Sequence, residues 1–241
     1  MKNLLATSIL CMNIFTFSVQ ADNFASQRQL MINEIIDMVA FTEDYIGKPE
    51  LDKQVMEAMA TVPRHEFVPD EVVSLAYVNS ALPITHGQTI SQPYIVALMT
   101  DLASVNKDSQ VLEVGTGSGY QAAVLAALAR HVYTIEIIEP LGIQARNRLQ
   151  RLGYENITVK IGDGYHGWPE HAPFDAILVT AGTEEVPAPL VEQLKPGGRL
   201  VIPLGSQHAS QTLTVIEKNA EGRITQHDIL PVGFVPLTGN H

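Results

Sequence analysis

Glu113-x-Gly115-x-Gly117-x-Gly119 places a carboxyl two positions ahead of glycines at alternate positions. Glycine lets a backbone turn tightly and approach a ligand with no Cβ in between. Between an apolar strand and an Ala-rich helix, such a bend is where an α/β sheet takes a nucleotide-like ligand. The spacing departs from the dinucleotide fingerprint G-x-G-x-x-G, whose last glycine would fall on Tyr120. Glu136 ends the next apolar segment, 21 positions after Gly115, close to the ~20 at which an acid reaches ribose hydroxyls. A carboxylate accepts from both hydroxyls of a diol. After the third strand comes Ile161-Gly162-Asp163-Gly164, where Asp163 reads either as a turn former or as an acceptor for an adenine amino group. The candidate cofactor contacts are Glu113, Gly115, Thr116, Gly117, Ser118, Gly119, Glu136, Asp163 and Gly164, with Glu139 as surface charge.

These residues need a scaffold, and the hydrophobic pattern supplies one. Gln27–Ala60 is helical in pattern, with Leu51, Val55 and Met59 on one face. Pro63 and Pro69 bracket an irregular connector, residues 79–93 read as a loop, and Tyr94–Leu102 as a helix. Strands are expected at Gln110–Val114, His131–Ile137, Ile157–Ile161, Phe174–Thr180 and Arg199–Pro203. Helices are expected at Tyr120–Ala129, Leu141–Leu152 and Pro187–Leu194, the last closed by Lys195-Pro196-Gly197-Gly198. This alternation implies α/β architecture with a doubly wound, mostly parallel sheet. Thr212–Lys218 and Arg223–Ile229 flank Asn219-Ala220-Glu221-Gly222 and read as a C-terminal antiparallel hairpin.

The chain has 241 residues, enough for one full core. With 15 Lys+Arg against 26 Asp+Glu its net charge is -11, which repels phosphate backbones and argues against a nucleic-acid partner. Residues 1–21 combine Lys2, an apolar run from Leu4 to Val19 and Val19-Gln20-Ala21, a secretory leader pattern. The run is too short and polar for a membrane span, so no stable membrane association is expected. Cleavage there removes Cys11, the only cysteine, leaving no disulfide or thiol chemistry. The organisation expected is a leader over 1–21 and a single domain over 22–241. Within it, 22–105 carries helices and a substrate loop, and 106–241 the cofactor-binding sheet.

From about Leu51 to Leu237 the chain closely resembles the protein-L-isoaspartate (D-aspartate) O-methyltransferase family. The residues that carry this are Pro63-Arg64-His65-Glu66-Phe67-Val68-Pro69, Ala81-Leu82-Pro83-Ile84, Gly87-Gln88-Thr89-Ile90-Ser91-Gln92-Pro93-Tyr94, the glycine motif, and Phe234-Val235-Pro236-Leu237. The Gly87–Pro93 block is the most specific, since general methyltransferases lack it. The resemblance implies a Rossmann-like methyltransferase using S-adenosyl-L-methionine on L-isoaspartyl and D-aspartyl carboxylates of damaged proteins and peptides, acting as a monomer. It implies Ser91 as the active-site hydroxyl, with Thr89, Gln92, His86, Thr180 and Ala181 against the substrate. Ser91 also reads as an N-cap before Pro93. Thr85 stands where the family usually has glycine, Ala181-Gly182-Thr183 where Ala-Ala-Pro is usual, and Gly233 where arginine is frequent. The leader implies a periplasmic or secreted enzyme, whereas the family is usually cytoplasmic.

Other readings fare worse. Amino-group methyltransferases carry Asp/Asn-Pro-Pro-aromatic after the fourth strand, where this chain has Val179-Thr180-Ala181-Gly182. The histidines show no metal-ligand spacing, so no metal is expected; His65 and His166 read as packing or loop residues, and Trp168 and the methionines as core. Tyr120 argues against a nicotinamide dehydrogenase. A protein that binds S-adenosyl-L-methionine without turnover, or methylates another carboxylate, remains the alternative.

Overall fold

The computed structural model of the chain describes residues 15–206 and 210–239. Most of the leader predicted over 1–21 lies outside them. The N-terminal helices are α1 (Phe15–Phe41), the single turn α2 (Glu43–Ile46) and α3 (Lys53–Thr61). Met31, Ile35 and Val39 recur every fourth position on α1 and are buried. The predicted continuous helix over Gln27–Ala60 is therefore broken. Thr42 closes α1, Gly47 ends α2 in the left-handed conformation, and Asp52 starts α3 by accepting from the Gln54 N–H at 2.7 Å. Leu51, Val55 and Met59 still share one buried face, with Leu51 just ahead of the helix.

Arg64–Phe67 and Asp70–Leu75 form 3-10 turns. The segment expected as loop over 79–93 holds a small hairpin, β1 (Leu82–Pro83) with β2 (Thr89–Ile90). Both His86 (φ 60°) and Gly87 (φ 70°) lie in the left-handed region, and the Gln88 N–H closes the turn onto the Thr85 carbonyl. A type I′ hairpin turn requires such a pair. Then follow α4 (Pro93–Ala103), β3 (Gln110–Val114), α5 (Tyr120–Ala126), β4 (His131–Glu136), α6 (Glu139–Arg151), β5 (Ile157–Ile161), β6 (Phe174–Val179), α7 (Ala188–Glu192), β7 (Leu194–Leu204), β8 (Gln211–Lys218) and β9 (Ile224–Val232). Lys195–Gly198, expected to close a helix, instead belongs to β7, which takes it up as an irregularity against β6.

The sheet order is β5-β4-β3-β6-β7-β8-β9, parallel through β7 and antiparallel at β8 and β9. It is the doubly wound sheet with a C-terminal hairpin that the sequence predicts. Alternate strand residues face opposite layers. Val111, Ala176 and Leu178 join the core under α1, α3, α4 and α5, while Leu112, Ile177 and Val179 join the one under α7. The chain winds outward from β3 in both directions, so the switch point lies between β3 and β6, where a crevice opens beyond the strand ends. No helix among the described residues is long and apolar enough to cross a membrane.

Candidate active site

At the end of β3 the backbone turns through Gly115 (φ 99°), Gly117 (φ 53°) and Gly119 (φ 89°), conformations that side chains resist. The N–H groups of Gly115 and Thr116 both bond the Ile135 carbonyl of β4, at 2.9 and 3.1 Å. On the other side Thr180, at the end of β6, donates its hydroxyl to the Gly115 carbonyl at 2.7 Å. A Cβ at Gly115 would overlap that hydroxyl. The bend is thus pinned from both neighbouring strands.

Two carboxyls stand in this wall. Glu136 is 5% exposed; it accepts from the Gly117 N–H at 2.8 Å through one oxygen and from the Ile138 N–H at 3.0 Å through the other. Both oxygens are oriented, and each keeps a lone pair for a further donor. Glu113 is fully buried beneath the bend. Its Oε2 accepts from Thr134 at 2.5 Å, Thr134 pairs with the Thr116 hydroxyl at 2.6 Å, and Oε1 has no partner among the described residues. Burial, opposed by the Thr134 hydrogen bond and reinforced by nearby Glu136, pushes its carboxyl up to about 8. Near neutral pH Glu113 is a neutral acid.

A cleft opens along this wall. Glu113, Gly115, Thr116, Gly117, Ser118, Glu136 and Gly164 line it from the cofactor side, and Thr89, Ser91, Thr180 and Ala181 from the other. Among the described residues its lining contains carboxyls and no Lys, Arg or His. A pyrophosphate would lack a side-chain cation here, whereas a positively charged nucleoside with a ribose diol meets oriented acceptors. The residues therefore fit a sulfonium cofactor.

A second cavity lies beyond, lined by Asn79, Ser80, Gln92, Ile95 and the Pro231–Val235 segment. Thr89, Ser91, Thr180 and Val235 border both, so Ser91 stands at the waist between them. Its hydroxyl makes no hydrogen bond among the described residues. The helix N-cap is Gln92, not Ser91, with Pro93 at the first helical position.

Not every expected residue reaches the cleft. His86 sits on the exposed hairpin turn, and Gln92 lines only the second cavity. Gly119 turns the chain into α5 and packs on Leu149. Asp163 caps the following turn by accepting from the Tyr165 N–H at 3.0 Å. Residues that sequence reading missed are Gln88, Tyr120, Gln121 and Val235–Thr238. The C-terminal segment arrives through a bridge between Gly182 and Pro236. It also explains one departure from the family pattern. The Gln211 side chain clamps Phe234, accepting from its N–H at 2.8 Å and donating to its carbonyl at 3.1 Å. Any Cβ at position 182 would overlap that Gln211 amide.

The sequence model of the protein-L-isoaspartate (D-aspartate) O-methyltransferase family matches residues 44–241. A relative from Polaromonas sp. named protein-L-isoaspartate O-methyltransferase 2 is 64% identical over 87% of this chain and 99% of its own length. One of the same name from Syntrophobacter fumaroxidans is 58% identical over 91% of this chain and 89% of its own. A solved Plasmodium falciparum protein-L-isoaspartate O-methyltransferase, in complex with S-adenosyl-L-homocysteine, superposes with TM-score 0.72 at 25% identity, over 90% of this chain and 99% of that one. Another solved structure of that enzyme name gives TM-score 0.74 at 29% identity, where this chain covers 66% of the other's length. With a match of that extent over a sheet and cleft of this form, the chain belongs to the protein-L-isoaspartate (D-aspartate) O-methyltransferase family.

Proposed function

We propose that this chain transfers a methyl group from S-adenosyl-L-methionine to the free carboxylate of L-isoaspartyl residues in damaged proteins, and of D-aspartyl residues too. The observation that carries the reading is the waist of the site. There the unbonded Ser91 hydroxyl stands between a cleft lined by carboxyls and a second cavity lined by Asn79, Ser80, Gln92 and the Pro231–Val235 segment.

When bound, the cofactor supplies an electrophilic methyl group on a sulfonium. Glu136 would hold the ribose diol, and the Gly115–Ser118 bend with Gly164 would shape the nucleoside's seat. An isoaspartyl carboxylate, with a pKa of ~4, is already ionised near neutral pH, so no base is needed to make the nucleophile. The protein must supply approach and exclusion of water. Ser91 donates to the carboxylate oxygen that does not react, while Thr89, Gln92 and Thr180 border the substrate's path. The neighbouring backbone amide nitrogen then attacks the methyl ester carbonyl and expels methanol, which carries off the amide proton, giving a succinimide that hydrolyses in part to normal aspartate.

Purified protein is expected to label isoaspartyl peptide with methyl groups and leave the aspartyl twin nearly untouched. Equal labelling of both, or of neither, refutes the reading. The leader pattern supports a periplasmic or secreted enzyme. N-terminal sequencing of protein from fractionated cells checks it: an intact Met1 in the cytoplasmic fraction returns the enzyme to the usual compartment of its family.

A further inference from the structure

Arg64 is a full-length arginine with no solvent exposure, and among the described residues no carboxylate lies within salt-bridge distance of it. An arginine cannot escape burial by losing its proton, and an uncompensated buried cation is costly. Its contacts show where the compensation comes from. Nε donates to the Ala76 carbonyl at 2.8 Å and Nη2 to the Ser91 carbonyl at 2.7 Å. The guanidinium carbon lies 4.8 Å from the centre of the Tyr120 ring, within cation–π range. Nη1 has no partner.

The contacts join elements that are otherwise separate. Ala76 ends the second 3-10 turn, and Ser91 lies on the segment that carries the acceptor side of the cleft. Tyr120 opens α5 directly after Gly119, on the donor side. Ser91 and Tyr120 line the same cleft; Arg64 is absent from that lining and acts from behind it. A rigid planar fork can bond two carbonyls while laying its face on a ring, which a lysine ammonium cannot do.

We infer that Arg64 is a positioning residue for methyl transfer, fixing the Ser91–Gln92 peptide, and so the Ser91 hydroxyl, against the Tyr120 end of the glycine bend. The role rests on the reaction proposed above. Misplacing that hydroxyl costs at most what deleting it costs, roughly 5- to 30-fold in turnover.

Arg64→Lys and Arg64→Ala test it through two separate readouts. Kinetics on isoaspartyl peptide are expected to show kcat lower by roughly 5- to 30-fold in Arg64→Ala, no more than loss of the Ser91 hydroxyl costs, while calorimetry leaves the cofactor Kd within about threefold of wild type. Arg64→Lys is expected to recover only a small part of kcat. Independently of any substrate, amide exchange at Ile90, Ser91 and Gln92 is expected to quicken in both variants while that of β3 and β4 is unchanged. The assignment is overturned if kcat stays within about threefold of wild type, if the loss lies in cofactor affinity, or if exchange at these amides does not change. Failure of both variants to fold with cofactor present also overturns it, since Arg64 then serves the fold alone. Wild-type inactivity on isoaspartyl peptide would instead remove the proposed reaction, and the exchange result would still judge the clamp.

Discussion

Glu136 and Ser91 face the same cleft but are held in opposite ways. Glu136 sits at the end of β4, an inner strand of the main sheet, and both its oxygens are fixed by backbone N–H groups, of Gly117 in the adjoining bend and of Ile138 two residues on. Ser91 lies outside the main sheet, after a hairpin of two-residue strands. Its neighbourhood is held by side chains reaching from elsewhere. Arg64 bonds the Ser91 carbonyl, and Asn79 accepts from the Gln92 side chain at 3.1 Å and from the Tyr94 N–H at 2.9 Å. The donor wall is built from sheet backbone and the acceptor wall from clamps. Cofactor binding and turnover should therefore respond to different mutations.

The largest expected effect is on the donor wall. Glu136→Ala removes a charge-assisted acceptor, an interaction of roughly 1.5–3 kcal/mol. The cofactor KM should rise roughly 10- to 100-fold while kcat at saturation changes little. Glu136→Gln, which keeps one acceptor oxygen, should fall between. A fall in kcat with the cofactor KM unchanged would erase the distinction between the two walls.

Glu113 sharpens the comparison from below, through stability. Its carboxyl moves from an ordinary 4.5 to about 8 in the folded state, chiefly by burial. Between those values the folded protein holds a proton that the unfolded chain releases. Its contribution is most favourable below pH 4.5, declines as pH rises through about 8, and is flat above. One proton corresponds to a slope of about 1.4 kcal/mol per pH unit. Glu113→Gln keeps the neutral shape and removes the titration. Urea midpoints of wild type should fall more steeply than those of the variant between pH 6 and about 8. Parallel slopes would show that Glu113 is ionised in the fold.

The two walls also differ in how far the sequence reveals them. The Gln110–Val114 strand, the glycine bend and Glu136 were legible because their geometry is local: apolar run, glycine spacing, acid at the next strand end. Asp163 reads as a turn former or an adenine acceptor, and its Oδ1 takes the first role by accepting from the Tyr165 N–H, since adjacent backbone competes for a short acid. Arg64 was unreadable as a buried group, because a charged residue in a connector looks solvated until Ala76, Ser91 and Tyr120 converge on it. The closing Val235–Thr238 segment was visible only as family likeness, and its place in the cleft depends on pairing with Gly182, far away in sequence. The helix break between Phe41 and Lys53 left a weak mark, because Leu51 keeps the four-residue spacing while lying outside the helix.

The smallest effect is expected at Ser91, and its size is diagnostic. The acceptor carboxylate is already ionised, so the hydroxyl contributes one oriented hydrogen bond, not a proton transfer. A hydrogen bond to a charged group at a half-buried site is worth about 1–2 kcal/mol, so Ser91→Ala should lower kcat by roughly 5- to 30-fold. The cofactor KM should stay as in wild type, because Glu136 and the bend keep their own contacts. Residual turnover should keep the wild-type pH profile near neutrality, since no titrating group has been lost. A drop beyond about 10³-fold would place Ser91 in the proton chemistry of general catalysis, and a raised cofactor KM would show that the clamped wall holds the donor as well.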